Sequence, residues 1–282
     1  MPEPKSWKKI LYEDQGYPDD YTDKTFLKDL RKNVKVEEIS LTEAILGATC
    51  LIQELCTVVF LTLVYVHLYN DWIHPDVVMI SSNVLAVLGF LLYNKTINLA
   101  KGMMNHIRTF IIFYIFARFF SPVLYTLTDT ISTDTIYATT FLMMVIHLIF
   151  FDYGLSAAIV SNSLSLSAAI FASICLASRL ASSYHALSLI TVAISCFLLF
   201  PVLRNKYPKS IIITILLILS VLYILFKVSK VMTAVFVITL IFIGLVCPVL
   251  FIRYQSYKQN IYGPWDEAII DNAVHINDLI YS

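Results

Sequence analysis

Two charges fall inside apolar runs of this 282-residue sequence, Glu54 and Arg118. Glu54 stands about ten residues into the first run and Arg118 about eleven into the third, so at about 1.5 Å per residue they lie at similar depth. A lone charge in an apolar medium is costly and pairing relieves it. A structural Glu54–Arg118 ion pair is therefore expected; one pair without a polar pathway is a poor basis for proton coupling. His147 and Asp152 lie about a turn apart in HLIFFDYG (147–154) and, with Tyr153, would form the centre of any membrane-embedded lipid chemistry. The bland alternatives carry at least equal weight. A histidine in such a run is more often a hydrogen-bonded core residue than a ligand, and Asp152 beside Gly154 suits a capped turn.

Other chemistry is missing. The seven glycines form neither a dinucleotide fingerprint nor a P-loop, and GxSxG, HExxH and CxxC do not occur. The six histidines are isolated, so no metal site is expected, and no cofactor. Asp129 and Asp134 lie in LTDTISTDTIYA, where Thr133 or Asp134 makes a good helix N-cap, the stronger reading. The five cysteines all lie in apolar runs and read as buried small hydrophobes. Nothing points to a nucleic-acid partner.

The elements that must position these residues are membrane helices. The chain is 58% hydrophobic and carries no net charge, and apolar runs long enough to cross a bilayer recur along it. The fold class is an all-α integral membrane protein with about eight spans: 44–69, 77–93, 107–127, 135–151, 156–177, 184–203, 211–228 and 231–252. Pro122 kinks the third, and the last two form a tight hairpin about Ser229 and Lys230. The fifth span carries a small residue at every fourth position: Ala157, Ser161, Ser165, Ala169, Ser173 and Ala177. Positions four apart stack on one helix face, giving a smooth stripe along which another helix approaches closely. Asp152 is expected where this helix begins.

The organisation is a polar arm (1–43), a helix bundle (44–252) and a tail (253–282). The arm holds eight Lys and Arg with no long apolar run, so no cleavable signal peptide is expected. Asp23 can cap a basic amphipathic helix over 24–33 with Phe26 and Leu30 on its apolar face. In the tail, Pro264 suits the first position of a helix, Trp265 follows, and Asp266 and Glu267 suit its first turn. Both helices are expected to dock partners. With the N-terminus cytosolic, sixteen Lys and Arg lie on the cytosolic side against three opposite, Arg179, Lys227 and Lys230; the positive-inside rule therefore places both termini in the cytosol. Neither terminus is long enough for a doubly wound nucleotide-sugar domain, which needs several βαβ units of about 30 residues each.

Five blocks carry a resemblance: YPDDYTDKTFLKDLRKN (17–33), SPVLYTLTDTISTDTIYA (121–138), HLIFFDYG (147–154), LSLSAAIFASICLASRL (164–180) and NIYGPWDEA (260–268). The chain resembles the PIG-C family, multispanning subunits of the endoplasmic-reticulum enzyme that begins glycosylphosphatidylinositol (GPI) anchor synthesis. The resemblance implies a non-catalytic subunit of a complex moving N-acetylglucosamine from UDP-N-acetylglucosamine to phosphatidylinositol on the cytosolic face. It implies as partners the glycosyltransferase PIG-A, with PIG-H, PIG-P, PIG-Q, PIG-Y and a regulatory subunit shared with dolichol-phosphate-mannose synthase. No catalytic residue carries over. The acceptor is anionic, so a headgroup site would use cytosolic cations, for which Lys95, Lys101, Arg108, Arg204, Lys206 and Lys209 are the candidates; plain positive-inside topology also explains them. A lipid-modifying enzyme or a lipid transporter in its own right is the alternative; the transporter is weakened by the lack of an internal repeat.

Overall fold

The computed structural model describes residues 39–93, 131–153, 160–206 and 210–257, with Gly16, Pro18, Tyr21, Arg31, Lys32, Ile115, Phe119, Pro122, Ile261 and Tyr262 besides. Two units make up the chain: Ser40–Ile252, and the two termini Met1–Ile39 with Arg253–Ser282.

In the terminal unit, strand β1 (Arg31–Lys32) pairs antiparallel with β2 (Ile261–Tyr262), Arg31 opposite Tyr262 and Lys32 opposite Ile261. The sequence pattern places Arg31 and Lys32 in the last turn of a helix. They are strand residues instead, because the tail brings a β-branched and an aromatic residue alongside. Phe26, Leu30, Pro264, Trp265, Asp266 and Glu267 lie outside the described residues.

The larger unit is helical: α1 (Leu41–Tyr69), α2 (Pro75–Tyr93), α3 (Thr133–Phe150), α4 (Asn162–Ala177), α5 (Ser183–Lys206), α6 (Ile211–Val228) and α7 (Lys230–Gln255). Six of these are long and apolar enough to cross a membrane; α4, at 16 residues, is the shorter exception. The chain is an integral membrane protein, with six such spans among the described residues where eight are expected. The span expected over 107–127 lies largely outside them.

Each start has a local cause. Ser40 and Glu43 form a capping box at α1, the Ser40 amide donating to Glu43 Oε2 at 3.0 Å. Ser132 caps α3, one residue ahead of Thr133 and two ahead of Asp134, the expected caps. Ser229 ends α6 and caps α7, so the last two helices do form a tight hairpin. At the α1–α2 turn Asp71 takes φ 52°, which aspartate tolerates better than most residues.

The expected start of the fifth span is displaced. α4 begins at Asn162, with Ser161 as its N-cap, and not at 156. A run of Asn and Ser favours caps and turns over helix interior. Asp152 therefore sits ten residues before the helix; its Oδ2 accepts a long 3.5 Å contact from Asn162 Nδ2. Ala157 lies outside the described residues. Ser161 is half-buried at the cap, while Ser165, Ala169, Ser173 and Ala177 are all 1% exposed or less. α4 packs against α3 and α5, and Ala169 and Ala177 share a core with Ala186 and Ala193 of α5. Small side chains facing one another let the backbones close up, the main source of helix association in lipid. Ala169→Leu is expected to force the helices apart and destabilise the bundle by about 1–3 kcal/mol; thermal unfolding in detergent checks this.

Two helices widen into π turns, Ser195–Leu199 in α5 and Phe242–Val246 in α7. Each stands just before an interior proline, Pro201 or Pro248. A proline ring clashes with the carbonyl four residues back and lacks an amide to bond it; one wide turn relieves both. In the second π turn a Cβ on Gly244 would sit 3.3 Å from Ile52 Cδ1, so α7 rests closely on α1.

Candidate functional site

Glu54 is wholly buried in α1, 0% exposed. Such a carboxylate persists only where hydrogen bonds and counter-charge replace water. Both oxygens are taken. Oε1 accepts from His147 Nε2 of α3 at 2.9 Å, and Oε2 accepts from Arg204 Nη1 of α5 at 2.9 Å. Arg204 Nη1 also points to the Cys50 carbonyl at 3.5 Å. On its other side His147 meets α4: Ser165 Oγ lies 2.8 Å from Nδ1 and 3.2 Å from the His147 carbonyl. A carboxylate only accepts, so Nε2 carries the proton toward Glu54. Nδ1 can then accept the Ser165 hydroxyl proton, the shorter of that hydroxyl's two contacts. One acid, one guanidinium, one imidazole and one hydroxyl thus tie together four helices.

Aromatic rings wall this centre. Phe197, inside the π turn of α5, meets the His147 ring edge-on at 4.9 Å, and Phe151 does so at 5.5 Å. The Arg204 guanidinium lies over the Phe151 ring at 4.6 Å, and its place near the C-terminal end of α5 suits a cation. Tyr153 stacks beside Phe151 at 5.2 Å and its hydroxyl donates to the Leu148 carbonyl at 2.7 Å. Burial, with the Glu54 charge adding, pushes the Tyr153 phenol far above its ordinary range, so it stays a neutral donor.

The Arg118 expected opposite Glu54 lies outside the described residues; among those described, the carboxylate is held by Arg204 and His147. Arg204, expected among headgroup-facing cations, is 4% exposed. Its span runs on to Lys206, three residues beyond the expected end at 203, which draws it into the bundle. Lys206 itself donates to the Tyr93 carbonyl, and its ammonium lies 4.7 Å over the Tyr93 ring. Lys95, Lys101, Arg108 and Lys209 lie outside the described residues. Among the described residues no three His, Cys, Asp or Glu side chains gather into a metal-binding group.

Ser165, His147 and Glu54 are hydrogen-bonded in the order of a hydroxyl, its base and an orienting acid, but each is 1% exposed or less, so the hydroxyl is closed to substrate. What it can do is fix four helices in one register.

The family profile of GPI2, phosphatidylinositol N-acetylglucosaminyltransferase, matches residues 7–266. The chain belongs to the GPI2 family. The C subunit of phosphatidylinositol N-acetylglucosaminyltransferase from Homo sapiens is 39% identical over 276 residues, covering 94% of this chain and 93% of its own length. Its Bos taurus counterpart is 41% identical over the same shares. The Schizosaccharomyces pombe GPI2 subunit is 31% identical, covering 94% of this chain and 87% of its own. No solved structure matches. The match to the GPI2 family takes in α1 to α7, so the polar centre lies wholly within the shared region.

Proposed function

We propose that this GPI2-family chain is a non-catalytic membrane subunit of a complex that transfers N-acetylglucosamine from UDP-N-acetylglucosamine to phosphatidylinositol, the first step of GPI-anchor synthesis. The observation that carries this reading is the enclosure of the Glu54–His147–Ser165 chain. A catalytic acid–base chain opens to its substrate; each member of this one is 1% exposed or less. The names of the relatives support the reaction, and by resemblance the catalytic subunit is PIG-A, with PIG-H, PIG-P, PIG-Q, PIG-Y and the dolichol-phosphate-mannose synthase regulatory subunit.

By resemblance the chain resides in the endoplasmic-reticulum membrane, and the Lys and Arg distribution favours both termini in the cytosol. The termini serve as the docking unit, a role favoured by the pairing of Arg31–Lys32 with Ile261–Tyr262. Purifying the tagged chain in mild detergent and assaying transfer before and after stripping its partners tests this. Activity lost on stripping and restored on adding them back is expected. Activity that survives in the isolated chain would favour an enzyme in its own right.

A further inference from the structure

Arg204 carries more donors than the bundle uses. Its hydrogen bonds both leave from Nη1, to Glu54 Oε2 and the Cys50 carbonyl. Nε and Nη2 donate to nothing among the described residues. Nor are they sealed off. The fully enclosed side-chain atoms without a partner include Gln53 Oε1 and Thr140 Oγ1, but neither of these nitrogens. The side chain is 5% exposed, and these two nitrogens share that opening. An arginine this buried, fixed on one edge by a carboxylate and backed by an aromatic ring, presents its other edge as a rigid two-donor fork. Such a fork matches two oxygens of a phosphate.

We propose that the Nε/Nη2 edge of Arg204 binds the phosphate of a phospholipid headgroup. The site lies near the end of α5, at headgroup rather than mid-bilayer level, and Leu198, Leu199 and Val202 on the same helix are 41–51% exposed apolar residues suited to acyl chains. A lipid therefore reaches the fork more readily than a free anion does. This deepens the reading above, since the acceptor there is a phospholipid. Glu54 sets the strength: its charge sits on the opposite edge of the guanidinium, so it orients the fork while weakening its pull on an anion.

The test uses the full chain purified with its partners, reconstituted in nanodiscs, with retained lipid measured by native mass spectrometry. The arms offer phosphatidylinositol, diacylglycerol of the same acyl chains, or inorganic phosphate as competitor. Wild type is expected to retain phosphatidylinositol about tenfold or more over diacylglycerol. Arg204→Lys keeps a cation for Glu54 but loses the fork, and should bring the two lipids level. Glu54→Gln, which keeps an oxygen for Arg204 and can donate to His147 once the imidazole proton moves to Nδ1 beside the Ser165 carbonyl, should raise phosphatidylinositol retention; it also decides the matter if Arg204→Lys fails to assemble. Equal retention of both lipids by wild type, or a fall in Glu54→Gln, would overturn the proposal. Displacement by millimolar inorganic phosphate would overturn the lipid assignment. Partner co-purification, read in the same sample, reports on the subunit role separately.

Discussion

Glu54→Ala is expected to be among the most damaging single substitutions in the bundle. It leaves the Arg204 guanidinium buried without a counter-charge and His147 Nε2 without an acceptor. Breaking a buried pair from one side costs about 3–5 kcal/mol, a large fraction of a membrane domain's total stability. The chain should purify poorly, and its unfolding temperature in detergent should drop sharply. The double change Glu54→Leu with Arg204→Met removes both charges and fills the space with apolar atoms. It should recover much of the loss, because replacing a buried pair with packed hydrophobic groups is often neutral or stabilising. A double variant no more stable than the worse single would show that the two side chains do not answer each other.

The second large effect concerns the wide turn of α5. The π turn Ser195–Leu199 amounts to one extra residue in α5, and it stands between the part of the helix packed on α4 and the part that carries Arg204. Deleting Leu198, which is 44% exposed and faces outward, should convert the wide turn to an ordinary one. One wide turn absorbs one residue, so the segments on either side keep their register and Arg204 stays on Glu54. What is lost is the relief of Pro201, whose ring meets a carbonyl in an ordinary helix interior at a cost of about 3 kcal/mol. Leu198→Ala, which keeps the residue count, should cost little, since the side chain is exposed. The comparison, read by thermal unfolding, separates loss of the wide turn from loss of a side chain.

Much of this was legible in sequence and some was not, for identifiable reasons. That Glu54 needs a partner follows from one acid in an apolar run. Which cation supplies it does not. The depth estimate counts residues from the start of each span, and α1 starts early, at Leu41 behind the Ser40 cap, with its first residues exposed. Glu54 is thus the fourteenth of the 29 residues of α1, and an arginine of α5 reaches it because that helix runs on to Lys206. The expected end at 203 hid the same contact, because a charge at the end of an apolar run reads as lying outside the span, whereas the helix continues to Lys206. The small-residue stripe was legible because period four is a property of the helix alone; its first turns were misplaced because Ser161–Asn162–Ser163 prefer a cap to a helix interior. His147 was recognisable as a hydrogen-bonded core histidine, but its partners come from α1 and α4, which no local pattern links to it.

The central claim is that the Glu54–His147–Arg204 centre is architectural. His147→Gln tests it most directly, since a glutamine amide can replace the Nε2–H that Glu54 accepts while removing acid–base chemistry. The measurement is transfer of N-acetylglucosamine to phosphatidylinositol per assembled complex, at saturating lipid. An architectural centre predicts turnover within about twofold of wild type wherever the complex assembles. A fully assembled complex whose turnover falls by about 10²–10⁴, the range typical of losing a general acid or base, would contradict it and make the centre an active site.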